Sequence, residues 1–148
     1  MKKVFLAITI VCSATMVAQI DAKSKKTEIP ANVKEAFQKE FPAQKAKWEM
    51  EDGGYEAEFK MKGNDVSAVY DKKGHRKAFE TGIKTNELPA TVLGYMAKNY
   101  ASKKITEATK IADDKNVTTY EAEIKKDGKP YDVLFDSNGK FIKIVEAD

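Results

Sequence analysis

The chain has 148 residues and a formal charge of +3, with 33% charged and 42% apolar residues, which is the size and composition of one globular domain. Lysine and glutamate are interspersed rather than segregated, and this excludes the one-sided basic surface of a nucleic-acid-binding domain. A single cysteine, Cys12, and a single histidine, His75, exclude a disulfide framework and a multi-histidine metal site.

The N-terminus has the layout of a signal peptide, 1–22. Lys2 and Lys3 form a positive start, residues 4–11 form an apolar run, and small residues follow. That run is too short for a membrane-spanning helix, which needs about 20 apolar residues. Ala14, Ala18 and Ala22 each put a small residue at a cleavage position, and cleavage is expected after Ala18 or Ala22. An uncleaved anchor is the alternative, and the short apolar run argues against it. Cys12 raises the possibility of a lipid anchor, but Val11 before it is a poor match for such a site, so Cys12 reads as an incidental residue of the run. Cleavage leaves a mature chain of about +1 or +2, without a thiol and without a transmembrane segment, placed in the periplasm or secreted. A polar, lysine-rich leader over 21–27 precedes the first element.

From residue 27 the chain repeats itself. Thr27-Glu28-Ile29-Pro30-Ala31-Asn32-Val33 returns as Asn86-Glu87-Leu88-Pro89-Ala90-Thr91-Val92, 59 residues later. Val33, Phe37 and Phe41 correspond to Val92, Met96 and Tyr100, apolar at i, i+4 and i+8, which is one face of a helix. The spacing predicts helices over 31–41 and 90–100, with Thr27 and Asn86 as N-caps and Pro42 ending the first. Tyr55-Glu56-Ala57-Glu58-Phe59-Lys60 returns as Tyr120-Glu121-Ala122-Glu123-Ile124-Lys125, now 65 residues later. The second copy therefore carries six extra residues, placed in a loop over 113–118. Alternation of apolar and charged residues marks both segments as half-buried strands. Strands follow over 66–70 and 131–135, then hairpin turns Asp71-Lys72-Lys73-Gly74 and Asp136-Ser137-Asn138-Gly139, each with glycine where φ must be positive. Strands over 76–81 and 141–145 close the copies. A strand over 46–50 completes four in the first copy; its counterpart over 106–112 is less distinct.

The fold class is α+β: two tandem helix-plus-four-strand repeats, 27–83 and 86–148, forming one antiparallel sheet with both helices on one face. Either unit alone would be marginal and would leave an open sheet edge. The Leu/Ile-Pro-Ala helix opening, the Tyr-Glu-Ala-Glu strand and the Asp-x-x-Gly hairpin, in tandem, resemble the PepSY-like family of exported bacterial proteins, whose fold is likened to the beta-lactamase inhibitor protein. The resemblance spans about 29–145, so that 23–148 is expected to be one PepSY-like domain. It implies the two repeats and an envelope location, suggests enzyme or protease inhibition by analogy, and carries no functional residue over. The second copy has no counterpart of Trp48, so the repeats are not equivalent.

No catalytic constellation emerges. His75 follows a hairpin turn; a dyad with Asp71 is conceivable, but an exposed surface histidine is the simpler reading. Ser24, Ser67, Ser102 and Ser137 have no neighbouring histidine and no Gly-x-Ser-x-Gly elbow. The Asp136 segment lacks the downstream glutamate and flanking helices of a calcium loop. Gly53-Gly54 precedes no helix and is a turn rather than a phosphate loop. Glu49, Glu51, Asp52, Glu56 and Glu58 invite an acid/base reading, yet Glu56 and Glu58 alternate with core positions and read as a solvated face. Asn116-Val117-Thr118 is a glycosylation sequon, meaningful only in a eukaryotic secretory pathway. Trp48 reads as core.

These readings point to a non-catalytic exported binding module, without cofactor or metal, that engages a protein of the cell envelope as an inhibitor or modulator of an envelope protein or protease. The rival readings are a structural or chaperone-like envelope factor and, more remotely, a hydrolase. If Tyr55, Ala57 and Phe59 face the helices, Glu56, Glu58 and Lys60 face away, as do Glu121, Glu123 and Lys125. If Tyr70, Phe135, Ile142 and Ile144 also point inward, Val69, Leu134, Phe141 and Val145 join that outer face. Its candidate partner-binding residues are Val69, Leu134, Phe141, Val145, Glu56, Glu58, Glu121 and Glu123. Curling of the sheet, with those apolar groups packed at its edges, is the alternative.

Overall fold

The structure is a computed structural model that describes residues 28–51 and 53–147. The signal-peptide segment, Cys12, the cleavage positions Ala18 and Ala22, the leader, Thr27 and Asp52 lie outside the described residues. The elements run α1 (Ala31–Glu40), β1 (Lys47–Glu51), β2 (Gly54–Met61), β3 (Asn64–Tyr70), β4 (Arg76–Ile83), a 3-10 turn (Thr85–Glu87), α2 (Ala90–Asn99), β5 (Ile105–Asp113), β6 (Thr118–Lys126), β7 (Lys129–Phe135) and β8 (Phe141–Glu146). The eight strands form one sheet in the order β1 to β8, and each pairs antiparallel with its neighbours in sequence. The seam between the copies is β4 against β5, with Ala78 opposite Asp113 and Ile83 opposite Ala108.

Each helix opens on a proline rather than on a capping side chain. Pro30 and Pro89 are the N-cap residues, extended at ψ 146 and 143, with no side-chain cap. The expected cap Asn86 sits instead within the 3-10 turn, where the Glu87 carboxylate accepts the Lys84 amide at 2.7 Å. Proline fixes the φ that the entering chain needs and has no amide to satisfy. Both helices end one residue earlier than the apolar spacing suggests. Phe41 and Tyr100 are C-caps whose amides reach Phe37 O and Met96 O, and both are only partly buried. Tyr55 and Tyr120 are likewise half-buried, whereas Val33, Phe37, Ala57, Phe59, Val92, Met96, Ala122 and Ile124 are buried as the pattern requires.

Two apolar clusters form. In the first, Val33 and Phe37 of α1 pack on Ala57, Phe59, Val66, Ala68 and Tyr70. It is an aromatic network: Phe37 meets Trp48 edge-on at 5.4 Å and Phe59 at 5.2 Å. In the second, Val92 and Met96 of α2 pack on Ala108, Ala122, Ile124, Val133 and Phe135. These strand positions stand in cross-strand register: Ala57 opposite Ala68, Ala68 opposite Phe79 and Phe79 opposite Ala112, then Ile83 opposite Ala108, Ala108 opposite Ala122 and Ala122 opposite Val133.

The final hairpin of each copy is locked by an aspartate. Asp71 Oδ1 accepts the amides of Lys73 and His75, and Asp136 Oδ1 those of Asn138 and Lys140. The extra residues of the second copy build the same device a third time. Asp113 Oδ1 accepts the amides of Lys115 and Val117, and Asn116 takes the positive φ, 61°, that glycine supplies elsewhere. Gly139 is also a packing requirement, since a Cβ there would stand 1.9 Å from Thr91 Oγ1 at the start of α2. Thr91 Oγ1 in turn donates to Asn138 O at 3.0 Å, tying helix to hairpin.

Candidate protein-binding face

The strand positions between the core residues form a second set in register, and it is acidic. Glu58 stands opposite Ser67, Ser67 opposite Glu80 and Glu80 opposite Ile111. Gly82 stands opposite Thr109, Thr109 opposite Glu121 and Glu121 opposite Leu134, with Lys143 beyond. Glu107 stands opposite Glu123, Glu123 opposite Asp132 and Asp132 opposite Val145. Carboxylates from both copies thus share one side of the strands.

This side is not solvated as its charge suggested. Glu56 is 5% exposed, Glu80 2%, Glu121 2%, Glu123 4% and Asp132 1%. Antiparallel sheets twist as strands are added, which brings side chains on one side of them together. The Asp132 charge on β7 even contributes to the environment of Glu80 on β4, although two strands lie between them. Several donors meet these carboxylates. Ser67 Oγ donates to Glu80 Oε2 at 3.2 Å, Thr106 Oγ1 donates to Glu123, and Lys47 Nζ reaches Glu58 at 3.4 Å. Glu80 Oε1 and Asp132 Oδ2 are buried without a hydrogen-bond partner. Burial, reinforced by the Glu56 and Asp132 charges, pushes the Glu80 carboxyl up to about 8 against the pull of Ser67. Burial, with the Glu123 and Glu107 charges, likewise holds Asp132 well above the usual carboxylate range.

A cavity of about 780 Å³ opens on this side, at the end of β2 to β5 nearest the 3-10 turn. Its lining includes Glu56, Glu58, Asp65, Glu80, Glu87 and Glu107, with Lys84 the one basic residue among them. Gly82 helps form the floor, and a Cβ there would come within 3.3 Å of Asp65 O. Among the described residues no group of three or more His, Cys, Asp or Glu is placed to hold a metal ion. No described helix is long and apolar enough to cross a membrane.

The candidates read from the sequence divide. Glu56, Glu58, Glu121 and Glu123 stand together on this side with Val69, opposite Glu56, and with Leu134 and Val145. Leu134 is buried and Val145 half-buried. Phe141 must be corrected. A register shift between Leu134 and Phe135 pairs Phe135 with Phe141, and Phe141 stacks on Tyr95 of α2 at 5.1 Å with ring planes 7° apart. A bulge of this kind re-aims side chains that strict alternation would place on the other side. Ile142 and Ile144, expected inward, are exposed at 49% and 37% on the edge strand β8. Glu80, Glu107 and Asp132 escaped notice in the sequence. Their parity with Ala78, Thr109 and Leu134 was the available signal. The contact raised between His75 and Asp71 does form, Nδ1 to Oδ2 at 3.1 Å, but within an exposed hairpin turn.

The model of the family described as "Putative beta-lactamase-inhibitor-like, PepSY-like" matches the chain twice, over residues 16–77 and 54–143. Among curated proteins none matches. Solved structures share the fold. A putative periplasmic protein of Bacteroides eggerthii is 19% identical with a TM-score of 0.70, over 81% of this chain and 90% of that one. A DUF2874 family protein of Bacteroides uniformis is 23% identical with a TM-score of 0.68, over 79% and 88%. A BLIP-like protein of Bacteroides fragilis is 19% identical with a TM-score of 0.62, over 81% and 87%. With one family model matched over residues 16–77 and 54–143, together more than half of it, the chain belongs to the PepSY-like, beta-lactamase-inhibitor-like family.

Proposed function

We propose that the protein is a non-catalytic, exported binding module that engages a partner protein of the cell envelope through the carboxylate-lined side of its sheet. The observation that carries this reading is the burial of Glu80, which lines an open cavity, and of Asp132 on the same side of the strands, each with an unpartnered oxygen. Buried carboxylates with an oxygen left without a donor lower stability, and a surface held at such a cost is a candidate for use. The reading takes 1–22 as a signal peptide and 27–83 and 86–148 as the two repeats. It also takes both helices to pack on one face, which the shared register of the two clusters supports. The periplasmic description of the B. eggerthii protein and the BLIP-like description of the B. fragilis protein favour an envelope location and an inhibitor-like role. A catalytic role has less to recommend it, because the His75–Asp71 pair lies in an exposed hairpin turn.

The test is capture from a periplasmic extract with the mature wild-type chain, the Glu58→Lys variant and the control Lys110→Gln. Lys110 stands opposite Thr81 and Tyr120, in the other set of strand positions. The reading expects a partner retained by wild type and control and lost from Glu58→Lys, with circular dichroism unchanged. An identical set of captured proteins for all three would move the interface elsewhere. A hydrolytic activity abolished by His75→Ala would overturn the non-enzyme assignment. N-terminal sequencing of the exported chain is expected to begin after Ala18 or Ala22.

A further inference from the structure

Three features of the acidic cavity bear on what it accepts. The first is polarity of charge: a chain of formal charge +3 gathers six acids and one lysine around a single opening. The second is an unmet acceptor on one of its lining residues. Glu80 lines the cavity, is 2% exposed, and has one oxygen on Ser67 while Oε1 has no partner. Such an atom is stabilised by an incoming donor, and most by a charged one. The third is spacing. The acids do not converge on a point that would hold one metal ion. Glu56 and Glu58 instead lie two residues apart on β2, about 7 Å along the strand. Alternate side chains of an extended polypeptide have the same spacing.

We propose that the cavity between β2 and β5 takes lysine or arginine side chains from an extended, basic segment of a partner polypeptide, with one cation placed against Glu80. This rests on the assignment of the carboxylate side as the binding face and adds the chemistry of the partner. Glu56 and Glu58 on β2, Glu107 on β5 and Asp132 on β7 supply the surrounding negative field. Lys84 and the Lys60–Asp65 pair, 2.8 Å apart, stand at the cavity end. Lys143 lies across the sheet on β8, opposite Leu134. A cation seated on Glu80 displaces the proton that the empty, buried carboxyl retains near neutral pH, so docking releases protons.

The experiment is isothermal titration of the mature chain at pH 7 in two buffers of different ionisation enthalpy. The probes are a short acetylated peptide alternating lysine and serine, its glutamine-for-lysine counterpart, and spermine. Expected are binding of the lysine peptide with proton release, no binding of the glutamine peptide, and weakening of at least about tenfold in both Glu80→Gln and Glu107→Gln. Two variants are needed because Glu80 is buried, and Glu107→Gln alters the half-buried rim. Equal binding of the glutamine peptide, or binding without proton release, would overturn the seat at Glu80. Spermine binding as tightly as the peptide would overturn a polypeptide as the source of the cation. Tighter peptide binding when Lys23, Lys25 and Lys26 are replaced by glutamine would name the chain's own leader as occupant and overturn the external partner. Failure of the lysine peptide alongside a captured partner that still depends on Glu58 would remove this inference and leave the binding face standing.

Discussion

On the same strands, alternate side chains are buried to the same depth by opposite chemistry. Ala57, Ala68, Ala122 and Val133 are fully buried beneath the helices' apolar side chains, and Glu121 and Asp132 are nearly as inaccessible in the other set. Removing apolar surface from water stabilises by roughly 25 cal/mol per Å². Removing a carboxylate from water costs several kcal/mol unless donors replace the water. The apolar set therefore stabilises the sheet, and Glu80 and Asp132 of the other set, each with an unpartnered oxygen, detract from that stability. The apolar set is explained by folding alone, and the buried carboxylates are not, which is why the proposed binding face is placed there.

The largest way to break the comparison is on the apolar side. Phe37→Ala removes the ring that joins α1 to Trp48 and Phe59, and is expected to cost about 3–5 kcal/mol in urea unfolding. A loss within error would mean that the aromatic cluster does not support the fold. Next comes the tie between α2 and the last hairpin. Gly139→Ala forces a positive φ of 78° on alanine and drives its Cβ into Thr91, for about 2–4 kcal/mol. Gly128→Ala, with φ 82° and nothing within 4 Å of the new Cβ, is expected to cost only about 1–2 kcal/mol. Equal losses would show that the helix start is not packed on the hairpin.

The acidic side makes a prediction of opposite sign. Glu80 keeps its proton up to about 8 in the folded chain and loses it near 4.5 when unfolded. Between those values the folded state binds more protons than the unfolded one, so its contribution to stability falls as pH rises from about 4.5 to about 8. Asp132, also raised, acts in the same direction from lower pH. Urea midpoints are expected to be higher at pH 5 than at pH 8, and Glu80→Gln flattens that slope. A slope of the opposite sign would mean that the side is hydrated. The smallest effect expected is that of His75→Ala, which removes an exposed ion pair of at most about 0.5 kcal/mol.

The duplicated Pro-Ala and Tyr-Glu-Ala-Glu segments made the helices, strands and hairpin turns legible, because local periodicity and turn chemistry are written in consecutive residues. β5 was faint, since Thr106 to Lys110 mixes polar residues at both parities and its identity comes from pairing with β4 and β6. The loop over 113–118 was legible but its Asp113 turn was not, because Asn116 stands where the turns at Asp71 and Asp136 carry glycine. The candidate side was half legible. Alternation assigned Glu56, Glu58, Glu121 and Glu123 to it, but the burial of Glu56, Glu121 and Glu123 depends on packing across neighbouring strands, a property of no single strand. Phe141 was misassigned because a bulge between β7 and β8 interrupts the alternation from which its side was inferred.

The most direct test of the account is the unfolding free energy of the double variant Glu80→Gln, Asp132→Asn at pH 8. The account predicts a fold more stable than wild type, by about 1–3 kcal/mol for each buried charge removed. A double variant less stable than wild type would contradict it, because the carboxylates would then belong to the architecture and not to a surface kept for binding.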